Sequence, residues 1–244
     1  MIYYDSNARR TSDGMVTPPP IGAEIDAGLR VHMQRVYGYM AGGLVLTGII
    51  AYAAAVSGFY QAIADTGLIW IVMLAPLGFV LALSFGIQRM STGTATVLFW
   101  LYAAIMGLSL GSIFLAFTGT SIARVFFITA ATYGAMSIYG YTTKSDLSGF
   151  GSFLLMGLIG IVIASIVNIF IGSTALQFAI SVSGVIVFVG LTSYDTQRIK
   201  EMYLETDTGE TAAKKAVLGA LALYLDFINL FMVLLQLFGQ RRQN

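Results

Sequence analysis

Long apolar stretches occupy most of the chain after residue 35 and limit what it can fold into. Six of them have about 20 mostly apolar residues, the length that an α-helix needs to cross a hydrocarbon layer of about 30 Å. A seventh is equally apolar but contains one carboxylate, Asp226. The predicted spans are 36–57, 67–88, 95–117, 122–142, 150–171, 174–197 and 213–238. The sequence therefore predicts an all-α polytopic membrane protein, a bundle of seven transmembrane helices.

Composition excludes several classes of function. Only 10% of the residues are charged and 57% are hydrophobic, whereas a soluble domain has about 25% charged residues. A net charge of +1 gives no electrostatic reason to bind nucleic acid. Cysteine is absent and His32 is the single histidine, so a zinc centre and a Ser–His triad are disfavoured. We expect neither a cofactor nor a nucleic-acid partner.

The first 30 residues differ from the rest. They are polar, contain Pro18–Pro20 and have no apolar core of a signal peptide. We predict that 1–30 is a disordered cytoplasmic arm and that 31–240 forms the membrane domain. The links between spans are short, and only the link over 198–212 is longer and charged, so no soluble domain fits between spans.

Basic residues indicate the orientation of the bundle. The chain has 13 Lys and Arg residues. With the N-terminus in the cytoplasm and seven crossings, only Arg124, Arg241 and Arg242 lie on the far side, as the positive-inside rule requires. If 213–238 dipped in and returned, only Arg124 would lie outside. Charge thus slightly favours a re-entrant segment, whereas a length of about 26 residues favours a full span, which we expect.

Two carboxylates lie in or at the membrane with apolar flanks. Asp195 is near the end of the sixth span, and Asp226 is well inside the seventh, 31 positions later. Their midpoint falls between Glu210 and Thr211, in TDTGET around Gly209, the only strong turn signal of the link. An antiparallel hairpin that turns there brings the two carboxyl groups to matching heights. A carboxylate inside a membrane costs at least about 2.5–3.5 kcal/mol and is by default a functional candidate.

Two facing carboxyl groups in a low dielectric cannot both ionise cheaply, so the pair tends to share one proton. We therefore predict that Asp195 and Asp226 form a pH-sensing and gating pair. A purely structural network, in which Asp226 bonds Asn229 or hydroxyls of neighbouring helices, stays open as the alternative.

A polar stripe surrounds Asp226 on its helix. At 100° per residue the stripe contains Gly219, Ala222, Asp226, Asn229, Val233 and Gln236. We expect it to face the bundle interior, which would make this helix central and Asn229 a candidate polar group of an ion path. Arg198 can share a helix face with Asp195, and Arg89 ends the second span on the same side. Both are candidate counter-ions, with interfacial anchoring as the alternative for each.

Two segments resemble a known family. SYDTQRIKEMY over 193–203 and LALYLDFINLFMVLLQLFG over 221–239 are similar to the signature of the Bax inhibitor-1 family, also called the transmembrane Bax inhibitor motif or lifeguard family. The glycine-rich YAAIMGLSLGSIFLAF over 102–117 agrees with it, and the resemblance covers about 30–240.

The resemblance implies a central last helix and a pH-sensitive calcium leak governed by two aspartates, which match Asp195 and Asp226. It also implies an arginine matching Arg89 and, for bacterial members, an inner-membrane location and modulation of a membrane-bound AAA protease. Some bacterial relatives carry an acid in the second span, where this chain reads MLAPLGFVLAL. That departure leaves no acid for an ion-coordinating role there.

Three function classes follow. The first is a proton-gated calcium leak, since calcium takes oxygen ligands and Asp195, Asp226 and Asn229 offer few enough for weak, transient binding. The second is a non-conducting regulator of another membrane protein, such as a protease. The third, an intramembrane aspartyl protease, is disfavoured because Leu223–Leu225 precede Asp226 where those enzymes have Gly-x-Gly. We therefore do not expect an enzyme.

Overall fold

The computed structural model describes residues 9–10, 16–17, 21–63 and 66–242. Its helices are α1 (Ile21–Val56), α2 (Phe59–Ile63), α3 (Leu68–Gly86), α4 (Thr92–Leu110), α5 (Ile113–Ala116), α6 (Gly119–Thr142), α7 (Ser148–Ile171), α8 (Thr174–Glu201) and α9 (Gly209–Phe238). A short 3₁₀ helix, Ile87–Arg89, follows α3. Strands β1 (Arg9–Arg10) and β2 (Val16–Thr17) pair antiparallel.

Seven segments have the length and composition to cross a membrane, which confirms the predicted fold class. Six are single helices, and α4 together with α5 forms the third span, Thr92–Ala116. Large apolar side chains cover the outer surface; Phe85 and Phe170, for example, are 81% and 84% exposed. Such a surface is a liability in water, but it is the normal lipid-facing surface of a membrane bundle.

Helix α1 begins before the membrane. It starts at Ile21, directly after Pro18–Pro20, so residues 21–30 are helical and not part of a disordered arm. The reason is local: prolines are tolerated at a helix start, and the residues that follow include good helix formers. Of the earlier part of the predicted arm, only the four residues of β1 and β2 are described.

Helix α9 lies at the centre of the bundle. It packs against α1, α4, α6 and α8, and 67% of its most apolar stretch is buried, against 11% for α3 and for α7. Leu223, Tyr224, Leu230 and Leu235 are completely covered. The prediction of a central last helix is confirmed.

Helix α9 crosses the whole bundle. Near its start, the hydroxyl of Thr92 donates to the carbonyl of Glu210 over 3.4 Å. Beyond its end, the N–H of Thr118 donates to the carbonyl of Gln240 over 3.0 Å. Since α4 and α5 lead from Thr92 to the link before Thr118, the two ends of α9 lie at opposite ends of the bundle. Its 30 residues span about 45 Å, so the re-entrant alternative is wrong.

Polar caps define where several spans begin. Four hydroxyl side chains each accept a hydrogen bond from the backbone N–H three residues later, which satisfies a free donor of the first helical turn. The capping residues are Ser91, Thr118, Ser173 and Thr208. Thr208 belongs to the TDTGET turn signal, so α9 begins where the sequence placed the reversal of the chain.

Two glycines bring α4 close to α1. A Cβ on Gly107 would lie 2.7 Å from the carbonyl oxygen of Thr47, and one on Gly111 would lie 2.9 Å from that of Ala51. Only glycine permits such contact between backbones, as in other membrane helix pairs. Helix α4 ends at this place, one residue before Gly111.

Candidate functional site

The hairpin of α8 and α9 brings the two intramembrane acids together. Asp195 lies six residues before the end of α8, and Asp226 lies in the middle of α9. Both side chains line one cavity, so the hairpin places the two acids at one site. That their carboxyl groups bond each other and share a proton stays a prediction.

The two carboxyl groups have unequal surroundings. Asp226 is only 5% exposed, whereas Asp195 is half-buried. Oδ2 of Asp226 has no hydrogen-bond partner among the described residues. A buried oxygen without a partner costs free energy if it is charged, so this position favours either a bound proton or a partner from outside the chain.

A cavity of about 340 Å³ adjoins the pair between α7, α8 and α9. Asp195, Arg198, Asp226 and Asn229 all line it, together with Ser152 and mostly apolar side chains. The structure thus brings together four of the five polar residues that the sequence singled out. They can present charge and oxygen atoms to one shared space.

The two candidate counter-ions differ in position. The charge of Arg198 is close enough to act on Asp195, although its side chain is also exposed. Arg89 is exposed at the end of the 3₁₀ helix and is not among the residues that line the cavity. The reason is that α3 packs mainly on α4, on another side of the bundle. The structure brings Arg198 to the acids and leaves Arg89 away from the cavity.

Close to Asp226, hydrogen bonds fasten α9 to the neighbouring helices. The hydroxyls of Thr47 and Tyr224 are 2.6 Å apart, and Thr47 donates to the carbonyl of Ala103 over 2.8 Å. These bonds tie α9 to α1 and α4 two residues before the acid. Because the bonds are buried, they fix the height and rotation of α9 at this point.

Close to Asp195, a second set of hydrogen bonds fastens α8 to the link between α6 and α7. Gln197 donates from Nε2 to the carbonyl of Ser145 and accepts at Oε1 from the N–H of Leu147, both over 2.8 Å. The link between α6 and α7 is thereby fastened to α8 two residues after the acid. Each acid therefore has, two positions away in sequence, a residue that hydrogen bonds fix to a neighbouring element.

Hydroxyl groups near the acids escaped the sequence analysis. Tyr37 donates to Ser137 Oγ over 3.1 Å, and Ser137 Oγ is 3.1 Å from Thr196 Oγ1. The buried hydroxyl of Tyr133 has no partner among the described residues, and its ring packs on Phe227, the residue that follows Asp226. These residues are uncharged and scattered over α1, α6 and α8, so neither charge nor periodicity could identify them.

The donor set fits only a weakly held cation. Over 27–63 and 66–242, no group of three or more His, Asp or Glu side chains could hold a metal ion. Asp195, Asp226 and the amide of Asn229 supply a few oxygens, fewer than the six to eight that calcium takes in a tight site.

These features define an integral membrane protein with an ionisable pair inside a seven-helix bundle. The family model described as inhibitor of apoptosis-promoting Bax1 matches residues 29–243, so the chain belongs to the Bax inhibitor-1 family. It is 50% identical over 235 residues to the inner membrane protein YbhL of Escherichia coli K12, covering 95% of this chain and 97% of that protein. An uncharacterized protein of Rickettsia prowazekii is 49% identical over 218 residues, covering 89% and 92%. Another from Caulobacter vibrioides is 47% identical over 235 residues, covering 90% and 92%.

Proposed function

We propose that this protein is a pH-sensitive calcium leak channel in which Asp195 and Asp226 sense protons and gate the path. The observation that supports the proposal is the presence of two acids, one of them buried, at a single cavity with further polar groups. A membrane bundle gains no stability from placing two like-charged groups together. Their shared position is best explained by a function that needs them to titrate.

The gating mechanism uses the shared proton. With one proton on the pair, a short hydrogen bond ties α9 to α8 and keeps the hairpin closed. When that proton is lost, two like charges face each other in a low dielectric, and their repulsion favours separation of the helices. Added protons neutralise the pair and remove its attraction for a cation. The titration belongs to the pair rather than to either residue.

The cavity between α7, α8 and α9 would form part of the conduction path. Asp195, Asp226 and Asn229 can replace some water ligands of a calcium ion, and their small number keeps binding weak enough for release. Arg198 at the same cavity opposes cation entry unless Asp195 is ionised, so it strengthens the dependence on the acids.

The proposal includes the membrane in which the protein lies and the orientation of the chain across it. YbhL is an inner membrane protein by name, and we place this protein in the bacterial inner membrane with its N-terminus in the cytoplasm, in accord with the positive-inside rule. We propose no enzymatic activity, because neither a catalytic motif nor a nucleophile–base pair accompanies the acids in the described chain.

The proposal is tested by calcium flux into liposomes that contain only this protein. Wild type should give a flux that changes between about pH 6 and 8, with a midpoint set by the pair. Asp226→Asn retains the size of the side chain but cannot titrate, so its profile should be flat. Asp146→Asn, an exposed carboxylate on the link before α7, is the matched control and should behave as wild type.

Two results would contradict the proposal. Absence of flux in the wild type would favour the regulator that binds a membrane protease. A wild-type pH profile in Asp226→Asn would make the acids structural.

A further inference from the structure

A second space lies on another side of the bundle. It is a pocket of about 730 Å³ between α1 and α6, lined by Arg30, Gln34 and Tyr37 on α1 and by Gly134, Ser137 and Tyr141 on α6. Helix α1 packs on α4 and α9, and α6 packs on α8 and α9, so the two helices diverge and leave the pocket between them. It lies at the end of the bundle where α1 starts and α6 ends.

The pocket is polar at its mouth. Arg30 and Gln34 are exposed there, and Lys200 donates from Nζ to the carbonyl of Tyr141 over 2.9 Å. Charged groups and a bound carbonyl at the rim favour water over lipid chains in the pocket.

Hydroxyl groups lead from this pocket to the carboxylates. Tyr37 and Ser137 line the pocket and are joined by a hydrogen bond of 3.1 Å. Ser137 is 3.1 Å from the hydroxyl of Thr196, the neighbour of Asp195 in sequence. Tyr133, one turn before Ser137 on α6, packs on Phe227, the residue that follows Asp226, with ring centroids 5.4 Å apart. Tyr133 and Asp226 are each 5% exposed.

The polar atoms at the inner end of this chain are incomplete. The hydroxyl of Tyr133 and Oδ2 of Asp226 are both buried without a partner within the described chain. Buried polar atoms are normally satisfied by protein or ordered water, and a water needs two to four such partners. A water molecule between these groups would complete the chain.

We propose that the pocket between α1 and α6 is a water-filled entrance through which protons reach the acid pair along the hydroxyls of Tyr37, Ser137 and Tyr133. Each hydroxyl accepts a proton from one side and passes its own to the other, so it ends neutral, and the only net change is one proton gained by the pair. Thr196 holds Ser137 in place. The proton route is then separate from the cation cavity on the α7 side.

Every helix around the pair contributes to its electrostatic setting. The titratable or charged groups around it are Tyr133 on α6, Tyr194, Asp195 and Arg198 on α8 and Asp226 on α9, and α7 presents Ser152 and apolar residues. The side facing α1 and α6 carries hydroxyls that are hydrogen-bonded to one another. This inference deepens the proposed function and rests on it, because a proton route has a role only if the acid pair gates the channel.

Single cysteines test whether the pocket contains water. The chain has no cysteine, so a single introduced thiol is unique. Gly134→Cys places it in the pocket, where a Cβ meets no atom within 4 Å. Met156→Cys is the control: it is 65% exposed on α7, and both sites lie eight residues, about 12 Å, from their helix ends at the same end of the bundle.

A membrane-impermeant methanethiosulfonate reagent should modify Gly134→Cys at least about tenfold faster than Met156→Cys, because the thiolate that reacts exists only in water. Equal rates would mean a lipid-filled pocket and would overturn the inference. This readout does not depend on flux, so it remains valid if the proposed function fails.

Kinetics test the relay itself. After a pH jump, Tyr37→Phe and Ser137→Ala should slow the change in calcium flux by about a hundredfold, the lower end of the range of general acid–base effects, with the midpoint of the pH profile unmoved. Thr129→Val is the control, since its hydroxyl bonds the carbonyl of Val125 on its own helix. Wild-type rates in both relay variants would overturn the inference, whereas absence of flux in wild type would overturn the proposed function.

Discussion

The two faces of α9 are built for different tasks. One face meets α1, α4 and α6 with aromatic rings: Tyr224 packs on Tyr102 with ring centroids 5.4 Å apart, and Phe227 packs on Tyr133 at the same distance. The other face carries the small and polar stripe against α8 and the cavity. The first face fixes the helix through dense packing, and the second can accommodate a change of charge because a cavity adjoins it.

The contrast between the two faces shows how a membrane protein can contain a pair of acids whose charge changes. The packed face supplies contacts that do not depend on protonation, so α9 remains in place while the acids titrate. The stripe meets α8 through small residues: a Cβ on Gly184 would be 2.9 Å from the side chain of Val233. Helix α8, rather than α9, is therefore the element that we expect to move when Asp195 and Asp226 repel each other.

The largest effect on stability should come from the packed face. Leu230→Ala removes a completely covered side chain and should lower the free energy of unfolding by about 2–5 kcal/mol, because neighbouring rings cannot fill the space. Reversible unfolding in mixed micelles measures the change. Leu81→Ala, 48% exposed on α3, is the control and should cost less than about 1 kcal/mol. Equal losses would remove the distinction between packed and lipid-facing positions.

A smaller effect is expected where α6 meets α8. Gly140 lies against the backbone of Ser193, and a Cβ there would overlap its carbonyl oxygen. Gly140→Ala should separate the helices, lower stability by about 1–3 kcal/mol and disturb the bond between Ser137 and Thr196. Gly160→Ala on α7 meets no atom within 4 Å and should be neutral or slightly stabilising. If Gly140→Ala left stability unchanged, α6 and α8 would tolerate a wider separation than the structure has.

The smallest effect concerns the link between α8 and α9. Lys215 donates to both carboxyl oxygens of Asp207, over 2.9 and 2.7 Å, and these hydrogen bonds lower the pKa of Asp207 below its usual value. A lowered pKa in the folded state stabilises the fold above the unfolded pKa, and this contribution is lost as the pH falls through the folded pKa. The effect is small because the pair lies half-buried on the link between the helices, where solvent still screens its charges.

Asp207→Asn should therefore melt slightly below wild type at about pH 7, and the difference should shrink as the pH falls below about 4. A series of thermal melts from neutral to acid pH measures it. A difference that persists in acid would mean that Asp207 acts through something other than its charge.

Much of the fold could be predicted because lipid imposes simple rules. Each span needs about 20 apolar residues, so seven helices and their order were readable from hydrophobicity alone. The stripe around Asp226 predicted the central position of α9, and the TDTGET signal predicted the reversal that aligns the acids. The start of α1 was misplaced because its first turns are amphipathic and lie before the apolar run.

The site was only partly predictable for a physical reason. Asp195 and Asp226 stand out because charge is costly in lipid, and this cost is visible in the sequence. Hydroxyl groups such as those of Tyr37, Tyr133 and Ser137 are uncharged and cost less than a carboxylate in lipid, so they do not stand out in the sequence. Their importance depends on where α1 and α6 diverge. The position of Arg89 relative to the acids depends on which helices α3 touches, and the sequence does not show this.

The central claim is that Asp195 and Asp226 titrate as one unit. The most direct measurement is a double-mutant cycle on the pH profile of calcium flux, with wild type, Asp195→Asn, Asp226→Asn and the double variant in liposomes. If the acids share a proton, each single variant should lose the pH dependence, and the double variant should differ little from either one, because residues that act together are not additive. If each single variant keeps half of the pH response and the losses add in the double variant, the acids titrate independently and the account is contradicted.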